Sequence, residues 1–185
     1  KTGKDVIATT IKLGKRIQKV VGVCGNCDGF LANRTRIPFK VEMMALVEEG
    51  SLPEQVDKVM YDFGYPMGPF AVGDLAGLDI SYATRQRRAK EDPENFRPDP
   101  ISDALVEAGR LGQKTGAGYF MYKEGDRKPY PDPEVAEIIQ SVSRQMGIER
   151  REIGDEEVLN RLLLSSVNEA AKILEEGIAY RSSDV

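Results

Sequence analysis

Two cysteines, Cys24 and Cys27, stand three positions apart and are the only thiols in the chain. That spacing serves redox pairs and metal sites. A metal would need further thiolate or imidazole ligands, and the 185 residues include no histidine. A redox pair would sit at the start of a helix after a strand, whereas Asp28 and Gly29 follow at once and mark a loop. Buried or incidental thiols in a reducing compartment are the better reading. The missing histidine also bears on catalysis, because imidazole is the easiest general base near neutral pH. Any base that works with this chain is another residue type or lies on another part of the protein.

Other residues could do chemistry. The loop Gly112-Gln113-Lys114-Thr115-Gly116-Ala117-Gly118 is rich enough in glycine to cradle a phosphate, but it lacks the GxxxxGK[ST] spacing. Arg85, Arg87, Arg88 and Lys90 form a short basic cluster, either a solvated helix end or an anion contact. Asn33 and Arg34 put an amide beside a guanidinium. On residue type alone Asn33 reads as a helix-start or interdomain hydrogen bond, and Arg34 as an interdomain ion pair. The segment Gly64-Tyr65-Pro66-Met67-Gly68-Pro69-Phe70 is an apolar loop with two prolines. Loops normally face water, so this one packs on the core or against a ligand or partner domain. A net charge of −4 and a pI near 5.1 give no nucleic-acid footprint. No run reaches the roughly 18 apolar residues of a membrane span.

The elements that must position these residues are mostly helical. Val6, Ile7, Thr10, Leu13 and Ile17 recur at helical spacing over 5–18. The β-branched run Val20 to Cys24 predicts a short strand, so this helix and strand look like the last pair of an upstream α/β domain. A helix over 30–49 follows, capped by Asp28, kinked or locally broken at Pro38 and stopped by Gly50. Ser51-Leu52-Pro53-Glu54 has capping-box spacing for a helix ending near Phe63. Further helices are expected over 70–76, from about Asp79 to Ala89, and over 101–111. Residues 91–100 form a polar, proline-rich excursion, and an extended piece covers 119–122. Asp132-Pro133 opens a helix to about Met146, and Asp155 opens a last one ended by Gly177.

The chain repeats itself. Asn33-Arg34, Glu42, Glu48-Glu49-Gly50 and Asp57 recur as Asn160-Arg161, Glu169, Glu175-Glu176-Gly177 and Asp184, seven identities at a constant offset of 127. Repeated units usually complete one another's cores. The second copy reaches Val185 before any counterpart of the Pro66–Phe70 loop, which leads us to expect a chain that continues.

Three blocks carry a resemblance to a known family. Asn26 to Arg34 resembles the junction of 3-hydroxyacyl-CoA dehydrogenases, where the NAD domain passes into the helical C-terminal domain. Phe63 to Phe70 with Asp74 to Asp79 resembles the next family block, and Leu111 to Tyr119 is similar to its late glycine loop. The tandem repeat narrows the likeness to the bifunctional or trifunctional fatty-acid oxidation enzymes, which add enoyl-CoA hydratase/isomerase activity. In their short relatives a single helical domain pairs with another subunit.

The resemblance implies a mainly α fold. Residues 1–28 would be the last helix and strand of a Rossmann-like NAD-binding domain, and 29–123 a first helical domain. Residues 124–154 would be a linker with a helix, and 155–185 part of a second, repeated helical domain. It implies an oxidoreductase of β-oxidation that interconverts L-3-hydroxyacyl-CoA and 3-ketoacyl-CoA with NAD, inactive as this segment alone. Asn33 would then contact substrate and take part in catalysis, and Asn160 would be structural. Met67 and Phe70 would wall the acyl end of the substrate pocket. NAD would be held mainly by the upstream domain, together with the base, and this chain would contribute no residue to cofactor or metal binding. Expected partners are the acyl-CoA substrate, the upstream NAD domain and the rest of the second helical domain, with a second copy of the segment as a further option. The expected location is intracellular: cytoplasmic in a bacterium, peroxisomal or mitochondrial in a eukaryote. The alternatives are a non-catalytic helical dimerisation or scaffold module and, less well matched by the blocks, a related dehydrogenase of small hydroxyacids.

Overall fold

The computed structural model describes residues 2–94 and 96–185; Lys1, in the expected NAD-domain remnant, and Asn95, in the expected 91–100 excursion, lie outside the described residues. Its elements are α1 (Lys4–Arg16), α2 (Ala32–Glu49), α3 (Pro53–Phe63), α4 (Pro69–Ala76), α5 (Leu78–Glu91), α6 (Pro100–Glu107), α7 (Pro133–Gln145) and α8 (Asp155–Glu175). Short 3-10 turns cover Gln113–Thr115 and Ser182–Asp184. Among the described residues, no helix is long and apolar enough to cross a membrane.

The expected strand over 20–24, and with it the Rossmann-like helix–strand pair, is overturned. The described residues contain no β-strand, only isolated bridges, one of them joining Cys24 to Ala179. A β-branched run becomes a strand only when a neighbour supplies a ladder of hydrogen bonds. Here Gly25 N–H donates to Ile178 O at 2.7 Å, and Val20 is fully exposed. The extended piece expected over 119–122 is likewise reduced to single bridges, Ala117 with Met121 and Met121 with Tyr130.

Two compact units divide the chain. Residues 39–163 form the first, and their core draws on most of the helices. Leu46 and Val47 from α2, Val56 and Met60 from α3 and Phe70 from α4 are all fully buried. Ile101 and Leu105 of α6, Ile139 of α7 and Val158 and Leu162 of α8 complete it. Local signals set the ends of these helices. Pro53, Pro69, Pro100 and Pro133 each stand in a first turn, where a missing N–H removes no helical bond. Asp132 accepts from Glu134 N–H and caps α7 as expected. The capping box at Ser51 is not formed. Leu52 takes the cap position, and the Ser51 hydroxyl turns to Gln55 Oε1 at 3.0 Å. At the end of α2, Arg150 donates to Gly50 O at 2.9 Å, Ser51 O at 3.1 Å and Val47 O. A guanidinium thus satisfies carbonyls that a helix C-terminus leaves open.

Residues 1–38 with 164–185 form the second unit. Helix α1 is amphipathic yet buries none of its residues. The buried hydrophobic side chains among the described residues of this unit are Ile173 and Ala179.

Candidate functional site

Asn33 lies in the first turn of α2. The chain enters that turn through Gly29 and Phe30, both at positive φ. A Cβ at Gly29 would stand 2.7 Å from the backbone nitrogen of Arg34, so the turn closes only with glycine there. Asn33 N–H donates to Gly29 O at 3.1 Å. Its side-chain amide is exposed and makes no hydrogen bond to another described residue.

Arg34, the next residue, is held tightly. Its Nε donates to Glu169 at 2.7 Å, and its two terminal nitrogens form a fork on Glu176 at 2.6 and 2.7 Å. Bonds to Glu176 and then Glu169 raise the arginine pKa further, while Arg34 holds Glu176 below the usual carboxylate range. Ser166 Oγ adds a bond to Thr35 O at 3.3 Å. The Cys27 thiol turns to Phe30 O at 3.3 Å, and both cysteines are half-buried and free.

The second copy of the repeat builds the same motif with the roles exchanged. In the other unit Arg161 Nε donates to Glu42 at 2.8 Å, and its Nη1 and Nη2 fork onto Glu49 at 2.6 and 2.9 Å. Every member is displaced by 127 from its counterpart: Arg34 and Arg161, Glu42 and Glu169, Glu49 and Glu176. The register was legible in the sequence. The exchange, with the arginine of each copy binding the glutamates of the other, could have been inferred from the same columns. Asn160 is exposed like Asn33.

The apolar loop over 64–70 turns on a carboxylate that sequence reasoning missed. Asp57 accepts from Phe70 N–H at 2.8 Å and Ala71 N–H at 2.9 Å, closing the N-terminus of α4. Burial pushes its pKa up to about 7 against these two bonds. Gly68 lets the loop approach, because a Cβ there would meet the Asp57 carboxylate. Phe70 is fully buried, edge-on to Tyr119 at 4.6 Å. Tyr65 stacks on Phe39 at 6.4 Å. Met67 stays exposed, as do Tyr61 and Phe63. The loop therefore points Phe70 into the core and leaves Met67 on an apolar surface.

The glycine loop serves the fold. Asp74 of α4 is 1% exposed, and its carboxylate accepts from Tyr119 N–H, Phe120 N–H and Tyr122 Oη at 2.9 to 3.0 Å. Burial raises the Asp74 pKa and these bonds oppose the rise. Gly112 has φ +101°, and a Cβ there would stand 2.2 Å from Asp74 O. The loop N–H groups of Gly112, Thr115, Gly116 and Gly118 donate to backbone carbonyls at 2.7 to 3.1 Å, so they are taken up within the fold. Within the basic cluster, Arg85 pairs with Asp103 and with Asp99 at 3.4 Å, and Arg87 makes an exposed pair with Glu91 at 3.6 Å. Among the described residues, no group of three His, Cys, Asp or Glu could hold a metal.

A family model covers the stretch that holds α2 to α6 and the glycine loop over the buried Asp74. The 3-hydroxyacyl-CoA dehydrogenase C-terminal domain matches residues 29–122, and the chain belongs to that family. The peroxisomal bifunctional enzyme of Homo sapiens is 43% identical over 185 residues, covering 94% of this chain and 26% of that protein. Its counterpart in Danio rerio is 38% identical over 197 residues, covering 100% of this chain and 27% of the protein. The crystal structure of the dehydrogenase part of multifunctional enzyme 1 from C. elegans superposes with a TM-score of 0.75 at 31% identity, over 97% of this chain and 40% of that one. The chain spans about a quarter of the length of the curated relatives it matches.

Proposed function

We propose that this chain is the substrate-side helical part of an NAD-dependent enzyme that interconverts L-3-hydroxyacyl-CoA and 3-ketoacyl-CoA in fatty-acid β-oxidation. The observation that carries the reading is the family match over 29–122, joined to an exposed amide at Asn33 on the helix that opens that domain. A neutral amide donates to the oxygen on the reacting carbon without competing for the proton that a base must take. It orients that carbon and stabilises charge on its oxygen. Met67 is assigned separately as an apolar contact for the acyl chain, with Phe70 seating its loop from beneath. Asn160 is structural.

The residues of this chain do not fit the dinucleotide. Backbone carbonyls take the N–H groups of Gly112, Thr115, Gly116 and Gly118 in the glycine loop, and the sequence offers no histidine as base. Both functions are assigned to the upstream NAD-binding domain, and the segment alone is expected to be inactive. The peroxisomal relatives support a peroxisomal location in a eukaryotic source, with the mitochondrion as the other eukaryotic setting and the cytoplasm in a bacterium.

NADH oxidation with acetoacetyl-CoA tests the reading on three samples: this chain, the full-length protein, and the full-length protein with Asn33→Ala. The expected pattern is silence, activity, and a loss of about 10²-fold in kcat, the scale seen for one oxyanion donor. Activity from the chain alone would show that base and cofactor site are misplaced. A folded but inactive full-length protein would favour a helical scaffold, the reading that the Arg34 and Arg161 ion pairs support by themselves.

A further inference from the structure

The second copy of the repeat contributes side chains to the helix turn that carries Asn33. Glu169 and Glu176 take three nitrogens of Arg34 between them, at 2.6 to 2.7 Å. The guanidinium is left with little freedom. Ser166, from the same helix as Glu169, holds the carbonyl of Thr35. Asn33 is therefore followed by two residues tied to α8, and preceded by a glycine turn in van der Waals conflict with any larger residue.

This turn needs such ties. Asn33 N–H and Thr35 N–H donate to Gly29 O and Leu31 O, each at 3.1 Å, but helix ends fray and regions with few buried apolar contacts open most readily. The unit that holds Asn33 buries few apolar side chains. The fork of Arg34 on the half-exposed Glu176 and its single bond to Glu169, which like Arg34 is about one-sixth exposed, help to fix the backbone there.

We infer that Glu169 and Glu176 are positioning residues for Asn33, acting through Arg34, so that the second copy of the repeat sets the geometry of the substrate amide in the first. The inference rests on the substrate-side reading of Asn33. A carboxylate pair that holds an orienting group affects the transition state more than ground-state binding, so the loss falls on kcat rather than KM.

The molecule contains its own control. Glu42 and Glu49 hold Arg161 in the same way, beside Asn160, to which no substrate role is assigned. In the full-length protein, Glu169→Gln with Glu176→Gln is compared with Glu42→Gln with Glu49→Gln, and with Asn33→Ala. We expect the first pair to lower kcat for acetoacetyl-CoA about tenfold with KM within twofold, and to speed hydrogen exchange over residues 29–35. The second pair should leave kcat within twofold. Equal losses from both pairs would reduce the clamps to fold stability and overturn the inference. An unchanged kcat in the first pair, while Asn33→Ala is damaging, would overturn it alone. An unchanged kcat in Asn33→Ala would remove the substrate-side reading, and the inference with it.

Discussion

Each of the two units of this chain has its own kind of internal stabilisation. In residues 39–163 a continuous apolar core from α2 to α8 surrounds a buried carboxylate, Asp74, that organises the glycine loop. In residues 1–38 and 164–185 there is little buried apolar surface, α1 buries nothing, and ionic contacts hold the start of α2. The same arginine motif occurs in both, with Val158 and Leu162 buried one helical turn or less from Arg161 in the first and Ile173 buried between Glu169 and Glu176 in the second. Stability is concentrated in one unit, whereas the proposed substrate amide stands in the other. That division is common where a site must adjust to its ligand.

The contrast is most easily broken at Asp74. Asp74→Ala leaves the N–H groups of Tyr119 and Phe120 and the Tyr122 hydroxyl without their acceptor. A cost of about 3–5 kcal/mol is expected from urea denaturation. A cost below about 1 kcal/mol would mean that the glycine loop does not depend on this carboxylate. A smaller effect is expected from Asp57. Its folded pKa, about 7, lies above the ordinary carboxylate value because of burial. The folded state therefore binds this proton more tightly than the unfolded state. The resulting stabilisation is complete below about pH 4 and is lost as pH rises through 7. Asp57→Asn should flatten that slope between pH 4 and 7 in a series of thermal melts. An unchanged slope would assign it to other groups. The smallest effect belongs to α1: Leu13→Ser, at an exposed position, should shift stability by less than about 0.5 kcal/mol. A larger loss would show that α1 is packed more firmly than its exposure indicates.

Legibility in the sequence followed the range of the interactions. Helix ends set by local chemistry could be read directly, as at Asp132-Pro133, Gly64 and Gly177. Features that depend on distant partners could not. Val20 to Cys24 has strand composition, but a strand is a property of a ladder, and Ala179 alone gives one bridge. Ser51 and Glu54 have capping spacing, but Pro53 fixes the helix start so that Leu52 takes the cap. At the candidate site, residue type read Asn33 as a helix-start or interdomain hydrogen bond, and the structure places it in the first turn of α2 with its side chain exposed. Phe70 and Met67 read alike as apolar loop residues, and only the fold turns one inward and leaves the other out. Asp57 entered only through the repeat and Asp74 only through a family block, and their acceptor roles carried no signal because the N–H partners lie 13 to 46 positions away.

The exchanged arginine motifs also bear on how the protein can change. Where two identical subunits meet, every substitution enters both sides of the contact at once. Here Glu49 and Glu176 occupy matching places but are separate codons. One clamp can drift while the other is kept, and Asn160 can be lost without touching Asn33. The repeat gives selection two independent copies of a single invention.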